Sequence, residues 1–443
     1  MRVRFAPSPT GFLHVGNARI AIANALFARC HGARFLLRID DTDAERSRDQ
    51  YEQGIQQDLT WLGIAWDETF KQSDRLKFYD DAADRLRASG RLYPCFESEE
   101  ELRFKREARL KRGLAPVYDR AMLKLTAEQR AAAEANGKTP YWRFKLSDST
   151  VEWTDLVLGR RGVKLPSVSD PVLIRADGTY LYTFTSVVDD IESGVTHIIR
   201  GEDHVTNTGV QLDIVSALNS NPSRLTLAHL PLLVDSDGGK LSKRLEGLSL
   251  RSLRQDGVEP AAITGYLARL GTSDSPEVAS LETLAKSYDL GRVSRSPARF
   301  DIRQLLALNR RVLHAAPFEA VHDRLPAAAT PEFWEAVRGN LDLLSEARAW
   351  WNVVAGDLVP PVQEGQGAFF RDAIAHLPAE PWDGTTWSSW TETLRSLTGR
   401  KGRALFMPLR LALTGEDHGP EMASMLPLIG RERVASRLRL SVV

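Results

Sequence analysis

Residues 2–43 read RVRFAPSPTGFLHVGNARIAIANALFARCHGARFLLRIDDTD, and the backbone preferences along this stretch decide the fold class. Residues 2–6 alternate and read as a short strand. Pro7-Ser8-Pro9-Thr10-Gly11 cannot be helical and must turn. From Asn17 to about Cys30 the apolar residues Ile20, Ala21, Ala25 and Leu26 recur at helical spacing, and Gly32 ends the helix. Phe35–Ile39 is a second strand, with Asp40-Asp41-Thr42-Asp43 at its C-terminal end. Strand, glycine-containing turn, helix and strand make a βαβ unit, which predicts a parallel sheet.

Working outward, helix signals follow from Tyr51 to Leu62. The stretch from about 95 to 145 is charged, helical and rich in Lys, Arg, Glu and Ala, so it reads as an insertion and not as more sheet. Strand-like runs return at Pro171–Ile174, Tyr180–Val188, Thr196–Ile199 and Leu230–Val234. After Gly247 strand signals almost vanish. The remainder is Leu, Ala and Arg at helical spacing, broken by Pro326, Pro360-Pro361, Pro381 and Pro420. The expectation is a multidomain chain: a split α/β part followed by all-α modules.

The chain has 443 residues, enough for two or more domains with separate cores. No segment approaches the ~20 uninterrupted apolar residues that cross a bilayer. The N-terminus goes from Arg2 and Arg4 straight into the Pro-rich turn, without an apolar signal core. Cys30 and Cys95 are too few and too far apart for a disulfide framework or a four-ligand zinc site. A reducing, cytoplasmic setting is expected. Net charge is zero, so any nucleic-acid surface must be patched, as in the run Lys105, Arg106, Arg109, Lys111 and Arg112, which reads equally as a solvated helix face.

Two segments carry chemistry. Residues 7–17 join a strand to a helix N-terminus, where free N–H groups and the helix dipole favour an anion. Gly16 permits close backbone approach, and His14 can donate to a phosphate oxygen or simply cap the helix. The second is Gly238-Gly239-Lys240-Leu241-Ser242-Lys243-Arg244, in which Lys240 and Lys243 can close on a polyphosphate as negative charge builds in the transition state. Taken alone it is also an ordinary basic loop. No GxGxxG or P-loop sequence is present.

In this order and about 225 residues apart, the two segments resemble the signatures of the glutamyl/glutaminyl branch of class I aminoacyl-tRNA synthetases. Residues 7–17 look like that family's His-Ile-Gly-His region, and Lys240–Arg244 like its Lys-Met-Ser-Lys-Ser loop in the Lys-Leu-Ser-Lys-Arg form. Leu37–Asp43, Val187–Asp190, Arg200–His204, Ser296–Asn309 and Pro408–Gly415 resemble further signatures. The resemblance covers nearly the whole chain, most weakly between 310 and 400.

The resemblance implies a split Rossmann-like catalytic domain at 1–77 and 181–237 and an inserted acceptor-stem-binding domain at 78–180. A stem-contact region with the KLSKR loop at 238–318 and a helical anticodon-binding domain at 319–443 would follow. It implies ATP-dependent loading of L-glutamate onto tRNA(Glu), with charging of tRNA(Gln) left open. It also implies magnesium with the nucleotide, a monomer, and activation that waits for bound tRNA. His14, Lys240 and Lys243 would be catalytic, and His14, Gly16, Asn17, Lys240, Ser242 and Lys243 would hold ATP. Arg4, Ser8, Asp40, Tyr182, Ser186 and Arg200 would hold glutamate, with Arg4 on the side-chain carboxylate and Asp40 on the α-ammonium.

Three positions depart from the pattern. Cys95-Phe96-Glu97 stands where relatives have Cys-x-Cys of a zinc site, so no metal is expected there. Asp40 is one methylene shorter than the family's Glu. Asn17 replaces His, Gly or Thr but can still donate a hydrogen bond. A catalytically impaired tRNA-binding paralogue and a glutamyl-queuosine tRNA(Asp) synthetase-like enzyme are the rivals. Intact His14, Lys240 and Lys243 speak against the first, and residues 310–443 against the second.

Overall fold

The computed structural model describes residues 1–239, 241 and 248–441. They form two compact units, one of residues 1–252 and 264–301, the other of 253–263 and 302–443.

The first unit opens as the sequence predicts. Strand β1 (Arg2–Phe5), the Pro-rich turn, helix α1 (Val15–His31) and strand β2 (Arg34–Ile39) make a parallel βαβ unit. Gly32 ends α1 in the left-handed region that a glycine adopts without cost. Helix α2 (Asp49–Trp61), strand β3 (Glu68–Lys71) and helix α3 (Leu76–Ala88) follow. Next come β4 (Leu92–Cys95), helices α4 (Glu99–Lys111) and α5 (Ala127–Ala135), and β5 (Tyr141–Phe144). Thus the charged stretch is helical as expected, but strands bound it. Together with β8 (Val172–Ile174) they form a separate antiparallel sheet, β4-β5-β8.

Between them lies a hairpin, β6 (Thr150–Asp155) and β7 (Gly159–Lys164), which the sequence reading did not identify. It does not join the small sheet. Leu227 of β10 (Thr226–Leu230) pairs with Asp155, so the hairpin extends the edge of the main sheet, whose order is β3-β2-β1-β9-β10-β6-β7. Strand β9 is His197–Gly201, and all neighbours except β6 and β7 run parallel. Pro231 divides the expected strand at 230–234, because it cannot donate to a ladder; Leu233–Val234 (β11) pairs instead with Ala298–Arg299 (β12).

One expectation is overturned. Tyr180–Val188 is not a strand: Tyr182–Glu192 is helix α6. The β-branched and aromatic residues there suggested β structure. Yet Phe184, Val187, Val188 and Ile191 stand at i, i+3, i+4 and i+7, and the first three are buried in a core shared with α3 and with α7 (Val205–Ala217). Burial of that stripe prevails over local preference.

The strand order matters for function. Reading outward from β1, the sheet runs β1-β2-β3 one way and β9-β10 the other, so direction reverses between β1 and β9. At such a switch point the loops leave on opposite sides and open a crevice at the C-terminal strand ends.

The second unit is helical, with Ile302–Ala315, Pro331–Val337, Ala347–Ala355, Gly367–Ala375, Thr386–Thr398, Arg403–Thr414, Met422–Ile429 and Arg431–Leu440. Trp334, Trp390, Phe333 and Phe370 are fully buried in its core. Trp390 donates to the Ala373 carbonyl at 3.1 Å, while Trp350, Trp351, Trp382 and Trp387 pack half-buried against the same core. The short segment 253–263 belongs to this unit by its contacts. Asn309 Nδ2 donates to Asp342 O, its Oδ1 accepts from Glu259 N at 2.7 Å, Arg324 pairs with Glu259 at 2.7 Å, and Ser345 donates to Asp256 O at 2.6 Å. Gly257 has φ +89, and a Cβ there would stand 2.7 Å from the Leu344 nitrogen.

Candidate active site

The crevice is a cavity of about 810 Å³ at the C-terminal ends of β1, β9 and β10. Its walls include Arg4, Ser8, His14, Gly16, Asn17, Tyr182, Arg200 and Leu241. A side cavity of about 270 Å³ shares Ser8, Thr10 and Tyr182 and adds Asp40. Ser186 lines neither; it lies one hydrogen bond behind, accepting from Gln211 Nε2 at 2.6 Å and donating to the Tyr182 carbonyl at 2.7 Å. Lys240, Ser242 and Lys243 lie outside the described residues, as does Arg244.

The anion-binding corner is built by a histidine acting as N-cap. His14 Nδ1 accepts from the backbone N–H of Gly16 at 3.0 Å and of Asn17 at 3.4 Å, and Asn17 Oδ1 accepts from His14 N. The cap therefore fixes the tautomer: Nδ1 is the acceptor and Nε2 carries the proton. Burial lowers the imidazole pKa, which keeps the ring in this neutral form. Capping and donation, posed as alternatives from the sequence, use different ring nitrogens and coexist. The need for glycine at 16 is also specific. A Cβ there would stand 2.8 Å from His14 Cε1, so the close approach is made by the capping ring.

Beneath the cavity floor lies a buried ionic network. Arg38, fully buried on β2, donates to both Asp40 oxygens (2.6 and 3.1 Å) and to Asp190 at 2.9 Å. Arg4, 3% exposed on a central strand, gives its Nε to Asp190 at 3.2 Å. Asp189 accepts from Gln72 at 2.8 Å, Arg75 at 2.7 Å and Tyr79 at 2.9 Å. Burial pushes the Asp40 carboxyl up to about 6, against the opposing pull of Arg38. Farther along the strand-end acids, Asp41 binds Ser73 and Asp43 accepts from the Arg46 N–H.

Arg200 differs from Arg4, which is bound to Asp190. It is 6% exposed, and among the described residues no carboxylate lies within ion-pair distance of it. Glu202 instead accepts from the Leu232 N–H, and Asp203 faces His204. The Arg200 guanidinium donates to neutral groups only: Nε to His229 Nε2 (3.4 Å), one terminal nitrogen to Thr208 (2.6 Å) and Gln211 (2.7 Å), the other to Tyr182 (3.2 Å). Four of its five N–H groups are used. The fifth, and the Tyr182 hydroxyl hydrogen, remain as donors on the cavity wall that both residues line. A buried cation held by neutral partners can take a ligand carboxylate as its counter-charge.

Comparison with known proteins gives the family. Residues 1–307 match the family model described as tRNA synthetases class I (E and Q), catalytic domain, and residues 362–442 match an anticodon binding domain. The chain is 64% identical over 441 residues to glutamate–tRNA ligase 2 of Gluconacetobacter diazotrophicus, covering 100% of both chains.

The chain belongs to the class I glutamate–tRNA ligases.

A second relative, glutamate–tRNA ligase 2 of Granulibacter bethesdensis, is 65% identical, with 100% of this chain and 98% of the relative covered. The glutamate–tRNA ligase of Elizabethkingia meningosepticum, crystallised with its amino acid, superposes with a TM-score of 0.85 at 25% identity, covering 100% of this chain and 99% of that one. The Cys95 thiol lies 3.7 Å from the Tyr118 hydroxyl, and Glu97 binds Tyr118 and Lys105, each at 2.6 Å.

Sequence reading missed Thr208, Gln211, His229 and Asp190 of this ligase fold. Two signals were present. Thr208 and Gln211 stand at i and i+3 on a largely apolar helix, and His229 interrupts the apolar strand run Leu227–Leu233. One test of the N-cap follows. In a Gly16→Ala variant the His14 ring must leave its cap, so the KM for ATP is expected to rise about tenfold or more, with a stability loss of about 1 kcal/mol typical of a lost N-cap. ATP kinetics and thermal unfolding read both; an unchanged KM would separate the cap from nucleotide binding.

Proposed function

We propose that this enzyme activates L-glutamate with ATP, giving glutamyl-adenylate and pyrophosphate, and transfers the acyl group to the terminal adenosine of tRNA(Glu). The observation that carries the glutamate assignment is Arg200, a buried cation whose described partners are all neutral and which shares a cavity with Arg4.

No protein nucleophile is needed, because the substrate carboxylate attacks the α-phosphorus itself. The residues position the reactants and stabilise charge. His14 Nε2–H and the Asn17 amide donate to the phosphates at the α1 N-terminus, with Gly16 permitting the cap. Lys240, Ser242 and Lys243 act on the leaving pyrophosphate. Arg4 and Arg200, with Tyr182 and Ser8, hold the amino acid; Ser186 supports Tyr182 through its carbonyl. Asp40, held up at about 6 by burial, takes up its full charge beside the α-ammonium. Among the described residues no cluster of three His, Cys, Asp or Glu is placed to cage a metal. Magnesium carried by ATP would supply shielding of the phosphate charge. The enzyme acts in the cytoplasm as a monomer.

The sequence resemblance sets Asn340, flanked by Arg338, near the point where an arginine is associated with relatives that charge only tRNA(Glu), and this favours a second acceptor, tRNA(Gln). Asn340 is exposed, while the neighbouring Arg338 is occupied by the Ala316 carbonyl (3.0 Å) and Glu335 (2.7 Å). An arginine engaged inside its own unit is poorly placed to reject an anticodon base. Aminoacylation with radiolabelled glutamate on purified tRNA(Glu) and tRNA(Gln) tests both statements. Product on tRNA(Glu) alone retires the second acceptor, and product on neither retires the proposal.

A further inference from the structure

The cation assigned above to the substrate carboxylate is itself oriented from behind. Arg200 on β9 and His229 on β10 are register partners, and β10 pairs in turn with β6 at Asp155. Asp155 is 2% exposed and His229 fully buried. The two carboxylate oxygens of Asp155 have separate tasks. Oδ1 accepts three backbone N–H groups, from Val157 (3.0 Å), Leu158 (3.0 Å) and His229 (3.1 Å). Oδ2 accepts only from His229 Nδ1, at 2.5 Å.

That single bond sets the role of the other His229 ring nitrogen. With the proton on Nδ1, His229 Nε2 is an acceptor. It lies 2.8 Å from Thr208 Oγ1 and 3.4 Å from Arg200 Nε. The Thr208 hydroxyl accepts from Arg200 at 2.6 Å, and its own hydrogen has two acceptors, Nε2 and the His204 carbonyl at 3.1 Å. In the other tautomer, Nε2–H would oppose the buried Arg200 Nε–H and leave that donor without a partner, at the cost of an unsatisfied buried charge-bearing group. Burial lowers the His229 pKa, although Asp155 raises it, so the ring is neutral and can make this choice. Asp155 itself is lowered: burial would raise it, but the hydrogen bonds from His229 and Leu158 outweigh burial.

We infer that Asp155 and His229 are positioning residues for glutamate binding: the carboxylate selects the His229 tautomer, and the tautomer aligns Arg200 with its one remaining N–H toward the substrate. This rests on the reading of Arg200 as the substrate cation. It also ties the pocket to the β6–β7 hairpin, which contributes no residue to the cavity wall.

The Asp155→Asn variant is a narrow test. Its Oδ1 keeps all three backbone bonds, so folding is preserved, while its amide N–H donates to His229 Nδ1 and forces the proton to Nε2. The KM for glutamate is expected to rise about 10- to 50-fold, with kcat and the KM for ATP changed by less than about threefold, the split that marks lost ground-state alignment. His229→Gln places an amide oxygen where Nε2 stood; adding it to Asp155→Asn is expected to recover at least about fivefold of the lost glutamate affinity. A purely structural role predicts no recovery. Nitrogen NMR of histidine-labelled wild-type enzyme gives a reading without any variant: an unprotonated Nε2 at His229 is expected, and a protonated one overturns the proposal. If Asp155→Asn leaves the glutamate KM within twofold while Arg200→Ala raises it strongly, the positioning pair is wrong and the substrate cation stands. If neither variant moves it, the reading of Arg200 falls as well.

Discussion

Replacing Arg200 by alanine is expected to lower kcat/KM for glutamate by about 10²–10³-fold, because truncating one partner of a buried, hydrogen-bonded charge pair costs about 2–5 kcal/mol. The loss is expected on glutamate and not on ATP, since Arg200 is the proposed carboxylate receptor and its described partners, Tyr182, Thr208, Gln211 and His229, do not include the His14 and Asn17 corner proposed for the phosphates. Arg200→Lys discriminates charge from geometry. An ammonium has three donors and cannot serve four fixed acceptors and a ligand together. Its kcat/KM is expected to remain about tenfold or more below wild type even though the charge is kept. Steady-state kinetics at saturating tRNA, with glutamate and ATP varied in turn, reads these effects. Equal losses for both substrates would mean that Arg200 supports the fold of the crevice and not the amino acid.

The largest effect on stability is expected at Asp189. Its side chain is fully buried and binds Gln72, Arg75 and Tyr79, with Arg38 Nε 3.8 Å away. An Asp189→Ala change leaves the fully buried Arg38 with one fewer counter-charge and strands three donors. Breaking a buried pair in this way costs about 3–5 kcal/mol. The Tyr79 hydroxyl does not compensate by ionising, because burial, which persists in the variant, pushes its pKa upward. Asp189→Asn keeps the shape and one acceptor, and is expected to lose roughly half as much. Urea unfolding followed by tryptophan fluorescence and circular dichroism measures both. A loss under about 1 kcal/mol for the alanine variant would show that solvent reaches the site and that the network is not the support described.

How much of this was legible in the sequence follows from how locally each feature is encoded. The opening βαβ unit was readable because its signals are short-range: alternation in 2–6, a proline turn, helical spacing, and Gly32 as a stop. Helix α6 was misread because its decisive property, a buried stripe at 184, 187, 188 and 191, is a property of its neighbours. The β6–β7 hairpin was missed because an edge hairpin needs little apolar sequence. Among site residues, those on the cavity wall could be named from motif resemblance. The supporting atoms could not. Nothing in the spacing of Asp155, Thr208 and His229 says that they meet, since pairing of β6 with β10 brings Asp155 to His229 and helix α7 brings Thr208. Lys240, Ser242 and Lys243 remain assignments from the sequence.

The excursion at 253–263 has a practical consequence for dissecting the enzyme. The backbone passes between the two units at 252/253, 263/264 and 301/302, so no single cut separates them cleanly. A gene truncated after codon 301 would encode every strand of the main sheet. It would also carry eleven residues whose anchors, Asn309, Arg324, Leu344 and Ser345, had been deleted. Gly257, shaped to lie against Leu344, and the carbonyl of Asp256 would be left to water or to another molecule. Such a fragment should be prone to self-association for reasons unrelated to its chemistry. A minimal catalytic version would be better made by replacing 253–263 with a short polar linker than by shortening the chain alone.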